Sequence, residues 1–175
     1  MKKEFPIQDE WLSYQLRPQT PLDGLPYEKL FPGVDMQQRY AEMNRAAAPY
    51  GITFGVRTFL SNSRFALEAS EYARDQGKYH EFHERVFRAY FTEVLDIGNI
   101  QVVLQLAQEV GLDPGEVKRA LEDGMYGSRI DSTMEEASRL GVTAVPTFIL
   151  NGTHRVVGAL PLDQFRKRLA LIEAA

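Results

Sequence analysis

The stretch "GVTAVPTFIL" (residues 141–150) decides the fold, because it sets one proline inside an apolar, β-branched run that otherwise has the composition of a strand. Proline has no N–H to donate to a ladder, so Pro146 belongs at a sheet edge, at a strand start or at a cis peptide bond. If the Val145–Pro146 bond is cis, the backbone N–H and C=O of Val145 can point outward and pair with an extended peptide. The alternative is a trans proline that starts the strand. The dipeptide alone favours that alternative, since only about 5–6% of X–Pro bonds in folded proteins are cis.

Composition limits the classes of protein that need to be considered. The chain has 175 residues, of which 44% are hydrophobic and 25% charged, as in one globular domain with a buried core. Its 20 basic and 24 acidic residues are not gathered into blocks, so we expect no nucleic-acid partner. No apolar run reaches the roughly 18 residues of a membrane span, and "MKKEFPIQDE" (1–10) does not have the pattern of a signal peptide. We therefore expect a cytoplasmic protein without a membrane partner.

The sequence contains no cysteine. Disulfides, thiolate metal sites and a cysteine nucleophile are therefore excluded within the chain, and we expect no catalytic residue and no cofactor in it. The segment "HEFHE" places His80 and His83 one turn apart, but it lacks the H-E-x-x-H order, so it predicts a solvated helix face and no metal site. Ser61 and Ser63 precede a helix and are expected to act as caps, because no motif places a base beside them.

Periodicity predicts a strand, a helix and an extended segment in the first third of the chain. Residues 9–16 alternate with the two-residue period of a strand, and the proline-rich stretch 18–33 predicts a loop. Residues 40–50 have the pattern of a helix, and 52–57 of a short extended segment.

Four amphipathic helices follow between residues 61 and 140. Apolar stripes at helical spacing end at Gly77 and Gly111, and Asp113–Pro114 with Glu116 has the pattern of a helix start. Residues 143–150 and 154–160 then predict a hairpin around Asn151–Gly152, before a last helix that Pro161 opens.

The order of these elements, together with three segments, resembles the DsbA-like family and most of all its FrnE-type branch. "GVTAVPTFILNGTHRVVGALPLDQF" (141–165) is similar to the C-terminal half of its thioredoxin-like fold, and "FPIQDEWLSYQLRPQTP" (5–21) to its second strand and Arg-Pro loop. "TFLSNSRFALEASEYARDQGKYHEFHERVFRAYF" (58–91) resembles its helical insertion. The resemblance implies an α/β, thioredoxin-like (DsbA-type) fold with an inserted all-helical sub-domain. Its N-terminal part would be residues 1–60, the insertion 61–140, and the C-terminal hairpin and helix 141–175.

The family resemblance also implies a reaction, protein thiol–disulfide exchange. A low-pKa thiolate at a helix start attacks a disulfide while a cis-proline loop holds the substrate peptide. Pro146 corresponds to that proline, Val145 to the residue whose backbone holds the substrate, and Thr147 to the next position of the loop. Nothing corresponds to the first strand, the Cys-x-x-Cys turn or the beginning of the first helix, so the chain alone is expected to be inactive. An upstream selenocysteine codon read as a stop, a misannotated start, an expressed fragment or a genuine loss would each give this pattern.

Other functions stay open at this point. A peptide-binding or chaperone-like module could keep the cis-proline loop without redox chemistry, and a glutathione-dependent isomerase or kappa-type transferase is a weaker alternative from a related branch. For the disulfide oxidoreductase and for the peptide-binding module, the expected partner is a protein or peptide. Loss of a central strand would leave ladders unpaired, so we also expect two copies of the chain to associate.

Overall fold

The computed structural model describes residues 4–173, without the side chain of Glu173, and this part of the chain is mainly helical. The helices are α1 (Tyr27–Leu30), α2 (Met36–Ala47), α3 (Arg64–Asp75), α4 (Tyr79–Phe91), α5 (Ile100–Glu109), α6 (Pro114–Glu122), α7 (Gly127–Arg139) and α8 (Leu162–Glu173). The strands are β1 (Leu25–Pro26), β2 (Phe59–Leu60), β3 (Thr147–Leu150) and β4 (His154–Val157). None of the helices within residues 4–173 is both long and apolar enough to cross a membrane.

The chain divides into two compact units. The helical unit is Ser13–Ser132, and the hairpin unit joins the residues up to Leu12 to those from Thr133 onward, so the division falls within α7.

The helical unit is built around a core to which α3, α4, α5 and α6 all contribute. Its largest fully buried side chains come from three of these helices and from α7, and they are Phe82, Leu106, Ile130, Val103 and Val117. Helix α3 instead buries alanines such as Ala69 and Ala73, whose small side chains leave room for α4, α5 and α6 to pack against it. The apolar stripes of the sequence therefore face one common core.

The ends of these helices follow the local signals. Gly77 and Gly111 have φ angles of 69° and 75°, in the left-handed region that glycine adopts without steric cost after a helix. At the start of α6 the Asp113 carboxylate accepts a hydrogen bond of 2.9 Å from the Glu116 N–H, and Pro114 occupies the first turn. The predicted stops and the predicted start are confirmed.

A network of ion pairs and hydrogen bonds, largely exposed at Asp75 and Arg129, joins α3 to the first half of α7. Arg129 binds the Asp75 carboxylate through two N–H groups at 2.9 and 3.1 Å, and the Tyr126 hydroxyl donates to the same carboxylate at 3.0 Å. These contacts, led by the hydrogen bond from Arg129, lower the pKa of Asp75. On the same helix Glu71 accepts hydrogen bonds from Ser13 Oγ at 2.6 Å and Arg74 Nε at 3.0 Å.

The predicted strand at residues 9–16 is wrong. No ladder forms there in the described chain, and the buried positions of the alternation are polar, since Ser13 and Gln15 are buried while Leu16 is exposed. The polar residues are buried because they have partners: Ser13 bonds Glu71, and Gln15 bonds Asn62 at 3.5 Å. A two-residue period indicates an extended backbone, but a strand also needs a neighbour that accepts and donates along its edge.

The rest of the N-terminal region also differs from the prediction in detail. The loop at 18–33 contains β1 and the single turn α1, and β1 pairs antiparallel with β2 just after the predicted extended segment 52–57. Helix α2 begins before residue 40, because the Asp35 carboxylate caps it by accepting from the Gln38 N–H at 3.0 Å.

The hairpin unit contains β3, β4 and α8. The strands pair antiparallel from Thr147 opposite Val157 to Leu150 opposite His154. Asn151 and Gly152 join them with φ angles of 49° and 73°, as a tight hairpin turn requires. The predicted hairpin is confirmed, with a second strand shorter than 154–160.

Candidate functional site

The loop between α7 and β3, together with the first residue of β3, contains the three candidate residues, and its ends are held by the β4 region. We call residues 141–147 the Val145 loop. Arg155 Nη1 donates to the carbonyl oxygens of Leu140 at 3.0 Å and Gly141 at 2.7 Å, which satisfies the end of α7. Gly141 has a φ of 66°, in the left-handed region that glycine adopts without steric cost. The Gly158 N–H donates to the Pro146 carbonyl at 2.8 Å.

The middle of the Val145 loop is fixed by its own contacts. The peptide bond between Val145 and Pro146 is cis. Thr147 Oγ1 donates to the Ala144 carbonyl at 2.7 Å, bridging the two sides of the turn. The three predicted residues therefore lie on one short segment that is held at Ala144, Pro146 and Thr147.

Val145 itself is open. Within residues 4–173 neither its backbone N–H nor its C=O has a hydrogen-bond partner, and 49% of its surface is exposed. Backbone groups of this kind bond either to water or to another chain. An extended segment beside Val145 could therefore form two ladder hydrogen bonds, as in strand addition.

Apolar side chains lie near this open segment. Phe148 and Val157 are 39% and 48% exposed, on strands that begin and end next to the loop. Phe148 also packs edge-on against Phe165 of α8, with ring centroids 4.9 Å apart, so its position is fixed. Because Thr147 pairs with Val157 and Phe148 with Val156, the two exposed side chains lie on opposite faces of the hairpin, so an apolar partner segment on one face would bury one of them.

The Val145 loop has groups that can bind a partner but no thiol for disulfide exchange. The chain has no cysteine, so it contains no thiolate that could attack a disulfide. Among the described residues there is also no cluster of three or more His, Cys, Asp or Glu side chains able to hold a metal ion.

The segment with His80 and His83 is only partly the solvated face predicted from the sequence. His80 is exposed, but His83 is half-buried and lies between the rings of Tyr79 and Phe87, with centroid distances of 5.6 and 4.2 Å. Burial, with a smaller effect of His80, lowers the pKa of His83. The His83 ring therefore packs against neighbouring aromatic side chains of α4.

The sequence did not identify the buried Arg57 of the helical unit, and it assigned the buried Ser61 to a different role. Ser61 and Ser63 are both predicted to cap α3. Ser63 occupies the N-cap position but its side chain makes no capping hydrogen bond, and Asn62 Oδ1 accepts from the Arg64 N–H at 2.8 Å instead. Ser61 and Arg57 are each only 6% exposed. No local signal marks a buried arginine or serine, because burial depends on residues distant in sequence.

Comparison with known proteins places the chain in a family. Residues 6–170 match the DSBA-like thioredoxin domain, and the chain belongs to this family. It is 32% identical over 171 residues to an uncharacterized Bacillus subtilis (strain 168) protein, YwbO, with 94% of this chain and 82% of YwbO covered.

Two solved structures are similar to the fold. A probable DsbA oxidoreductase from Streptomyces coelicolor matches with a TM-score of 0.78 and 26% identity, over 91% of this chain and 73% of that chain. A putative protein disulfide isomerase from Nitrosomonas europaea matches with a TM-score of 0.62 over 77% of this chain and 72% of that chain, and at 15% identity it shows the fold alone. The α/β, thioredoxin-like (DsbA-type) fold predicted from the sequence is confirmed, whereas the FrnE-type branch stays a prediction.

Proposed function

We propose that the Val145 loop holds an extended segment of a substrate protein for thiol–disulfide exchange of the DsbA type, in a FrnE-type protein. The observation that carries this proposal is the open N–H and C=O of Val145 between Ala144 and Pro146, whose carbonyls both accept hydrogen bonds. Membership of the DSBA-like family and the similarity to a probable DsbA oxidoreductase support the reaction class.

The roles that we propose for this chain and for thiols outside it follow from the chemistry of thiol–disulfide exchange. A thiolate attacks one sulfur of a substrate disulfide, a mixed disulfide forms, and the other substrate sulfur leaves as a thiolate. A second thiolate then resolves the mixed disulfide. The 175 residues contain no thiol, so we propose that a cysteine or selenocysteine pair outside them performs both attacks, while this chain positions the substrate backbone. The chain alone is then inert.

Peptide binding is the direct test. Insulin B chain with carbamidomethylated cysteines is titrated into the ¹⁵N-labelled chain, and amide shifts are followed by NMR. We expect saturable shifts centred on the Val145 amide, with the amide of the buried core residue Val103 unmoved. Absence of saturable binding, or shifts confined to residues outside the Val145 loop, would refute the proposal.

Activity is tested separately, by the dithiothreitol-driven reduction of insulin followed as turbidity. We expect the cysteine-free chain to give the rate of dithiothreitol alone. Acceleration by the chain would contradict its proposed inertness.

A non-catalytic peptide-binding module is the second candidate, and the absence of cysteine favours it. The genomic sequence before the first codon distinguishes the two. An in-frame strand followed by Cys-x-x-Cys, or by a UGA codon in that motif, supports the oxidoreductase. Its absence supports the non-catalytic module.

We also propose that the chain acts as a homodimer in the cytoplasm. Trp11 and Leu12 of the hairpin unit are 47% and 55% exposed, and adjacent large apolar residues of this kind favour association. Sedimentation equilibrium tests the dimer, and a purely monomeric profile would contradict it. Cell fractionation tests the location.

A further inference from the structure

A cavity of about 340 Å³ lies wholly within the helical unit, and its lining includes no residue of the Val145 loop. Its walls are mainly aromatic and aliphatic, with Tyr14, Phe31, Leu60 and Tyr90 among them. The volume falls at the small end of the range of roughly 300–1,000 Å³ that is typical of small-molecule sites. The cavity therefore has the size and the apolar lining that a small organic ligand requires.

The charges around the cavity have one sign. None of its lining residues is acidic, and one of them, Arg17, is exposed. Within the described residues the Arg17 side chain has no hydrogen-bond or ion-pair partner, so its guanidinium is available to a ligand. Burial raises the pKa of the Tyr27 phenol, another lining group, so this wall carries no negative charge at neutral pH.

Arg57 adds a buried positive charge behind the aromatic wall. Its guanidinium lies 3.4 Å from the ring centroid of Tyr90 and donates to the Tyr27 hydroxyl at 2.8 Å. Its Nε and Nη1 atoms have no hydrogen-bond partner, and no carboxylate in the part of the chain described by the structure pairs with it. A buried charge without a counter-charge is costly, and a nearby anion lowers that cost.

Ser61 provides an unused polar group in the lining. The residue is only 6% exposed, and its buried hydroxyl has no hydrogen-bond partner among residues 4–173. Most buried hydroxyls are hydrogen-bonded, and this oxygen has almost no accessible surface, so a ligand would reach Ser61 Oγ after the side chain rotates toward the cavity.

We propose that this cavity binds a small organic carboxylate with an apolar, aromatic body. The body packs against Tyr14, Phe31 and Tyr90, the carboxylate pairs with Arg17, and Ser61 contributes a hydrogen bond once its side chain has rotated toward the cavity. The positive charge of Arg57 favours the anion through the aromatic wall. This site is independent of peptide binding at the Val145 loop.

The test uses 2-naphthoate and its neutral analogue 2-naphthalenemethanol, each titrated into the ¹⁵N-labelled chain. We expect saturable shifts at the amides of Leu60, Ser61 and Tyr90, and tighter binding of naphthoate than of the alcohol. An exposed ion pair contributes up to about 1 kcal/mol, so we expect Arg17→Gln to reduce this preference by about fivefold. Arg45→Gln removes the same charge from an exposed position of the helical unit outside the lining, and should leave the preference unchanged.

The comparison of the two ligands separates recognition from stability, because a merely structural role of Arg17 would weaken both alike. Ser61→Ala is a second variant, and it should weaken naphthoate binding without moving the site of the shifts. The proposal is overturned if naphthoate gives no saturable shifts up to its solubility limit. It is equally overturned if the shifts lie outside the cavity or if Arg17→Gln keeps the full preference.

Discussion

The polar face of α3 and the Val145 loop use hydrogen-bonding groups in opposite ways. On α3 the Glu71 carboxylate is nearly buried and accepts hydrogen bonds from Ser13 and Arg74. In the loop, Val145 leaves its N–H and C=O without a partner in the described chain, although residues on both sides of it are anchored. A polar group that is satisfied inside the fold stabilises it, whereas one held open is available to a partner. Changes at α3 should therefore alter stability, and changes in the loop should alter binding.

The largest expected effect is on the core of the helical unit. Phe82→Ala removes a fully buried ring, and we expect the free energy of unfolding to fall by about 3–5 kcal/mol. Urea unfolding followed by far-UV circular dichroism measures it. Phe87→Ala, on the same helix but 48% exposed, is the matched control and should cost clearly less. Equal losses would show that the core is elsewhere.

The second effect tests the ionic network through its pH dependence. Burial alone would raise the pKa of Glu71, but hydrogen bonds from Arg74 and Ser13 outweigh it, and the net pKa lies below the usual 4.5. A carboxyl whose folded pKa is lowered adds stability that is complete above its unfolded pKa and is lost as the pH falls through its folded pKa. We expect Glu71→Gln to cost about 1–3 kcal/mol at pH 7.

The difference between wild type and Glu71→Gln should shrink as the pH falls below about 4.5, the usual value for this carboxyl. Glu81→Gln replaces an exposed glutamate of α4 and should change stability little at any pH. A Glu71→Gln difference that is constant with pH would argue against an ionised, hydrogen-bonded Glu71.

The third effect concerns peptide binding at the Val145 loop. Thr147→Val removes the hydroxyl that donates to Ala144, and one such hydrogen bond is worth about 1 kcal/mol, so we expect about fivefold weaker binding of the alkylated insulin B chain. Fluorescence anisotropy with a labelled peptide measures this change. Thr153→Val, in the exposed hairpin turn, is the control and should keep full affinity. If both variants bind equally well, the anchoring of the loop does not matter for binding.

The smallest effect concerns the unpaired hydroxyl of Ser61. Because it has no partner within the described residues, Ser61→Ala should change the free energy of unfolding by under about 0.5 kcal/mol. Its neighbour Asn62 donates to the Thr20 carbonyl at 2.6 Å and accepts from the Arg64 N–H at the start of α3, so Asn62→Ala should cost about 1–3 kcal/mol. Thermal unfolding compares the two. A large loss in Ser61→Ala would reveal a contact of its hydroxyl that the fold depends on.

The sequence predicted those parts of the structure that depend on neighbouring residues. Helix α6 begins at Pro114 because the cap at Asp113 and the proline act within one turn, and β3 and β4 pair because Asn151–Gly152 favours the tight turn between them. The candidate residues of the loop are consecutive, so resemblance alone could group them. The strand predicted at 9–16 fails for the complementary reason, since a strand depends on a neighbour that its own pattern does not specify.

By itself, then, the sequence determined the helical stripes, the caps, the hairpin and the absence of any thiol. The tertiary structure decided which polar groups are satisfied and which are open: Glu71 is paired, the backbone of Val145 is open, and Arg57 lies buried without a carboxylate in the described chain. The physical reason is the distance along the chain over which each interaction acts. Periodicity and capping act over a few residues, whereas burial and hydrogen-bond pairing depend on residues brought together by packing from distant parts of the chain.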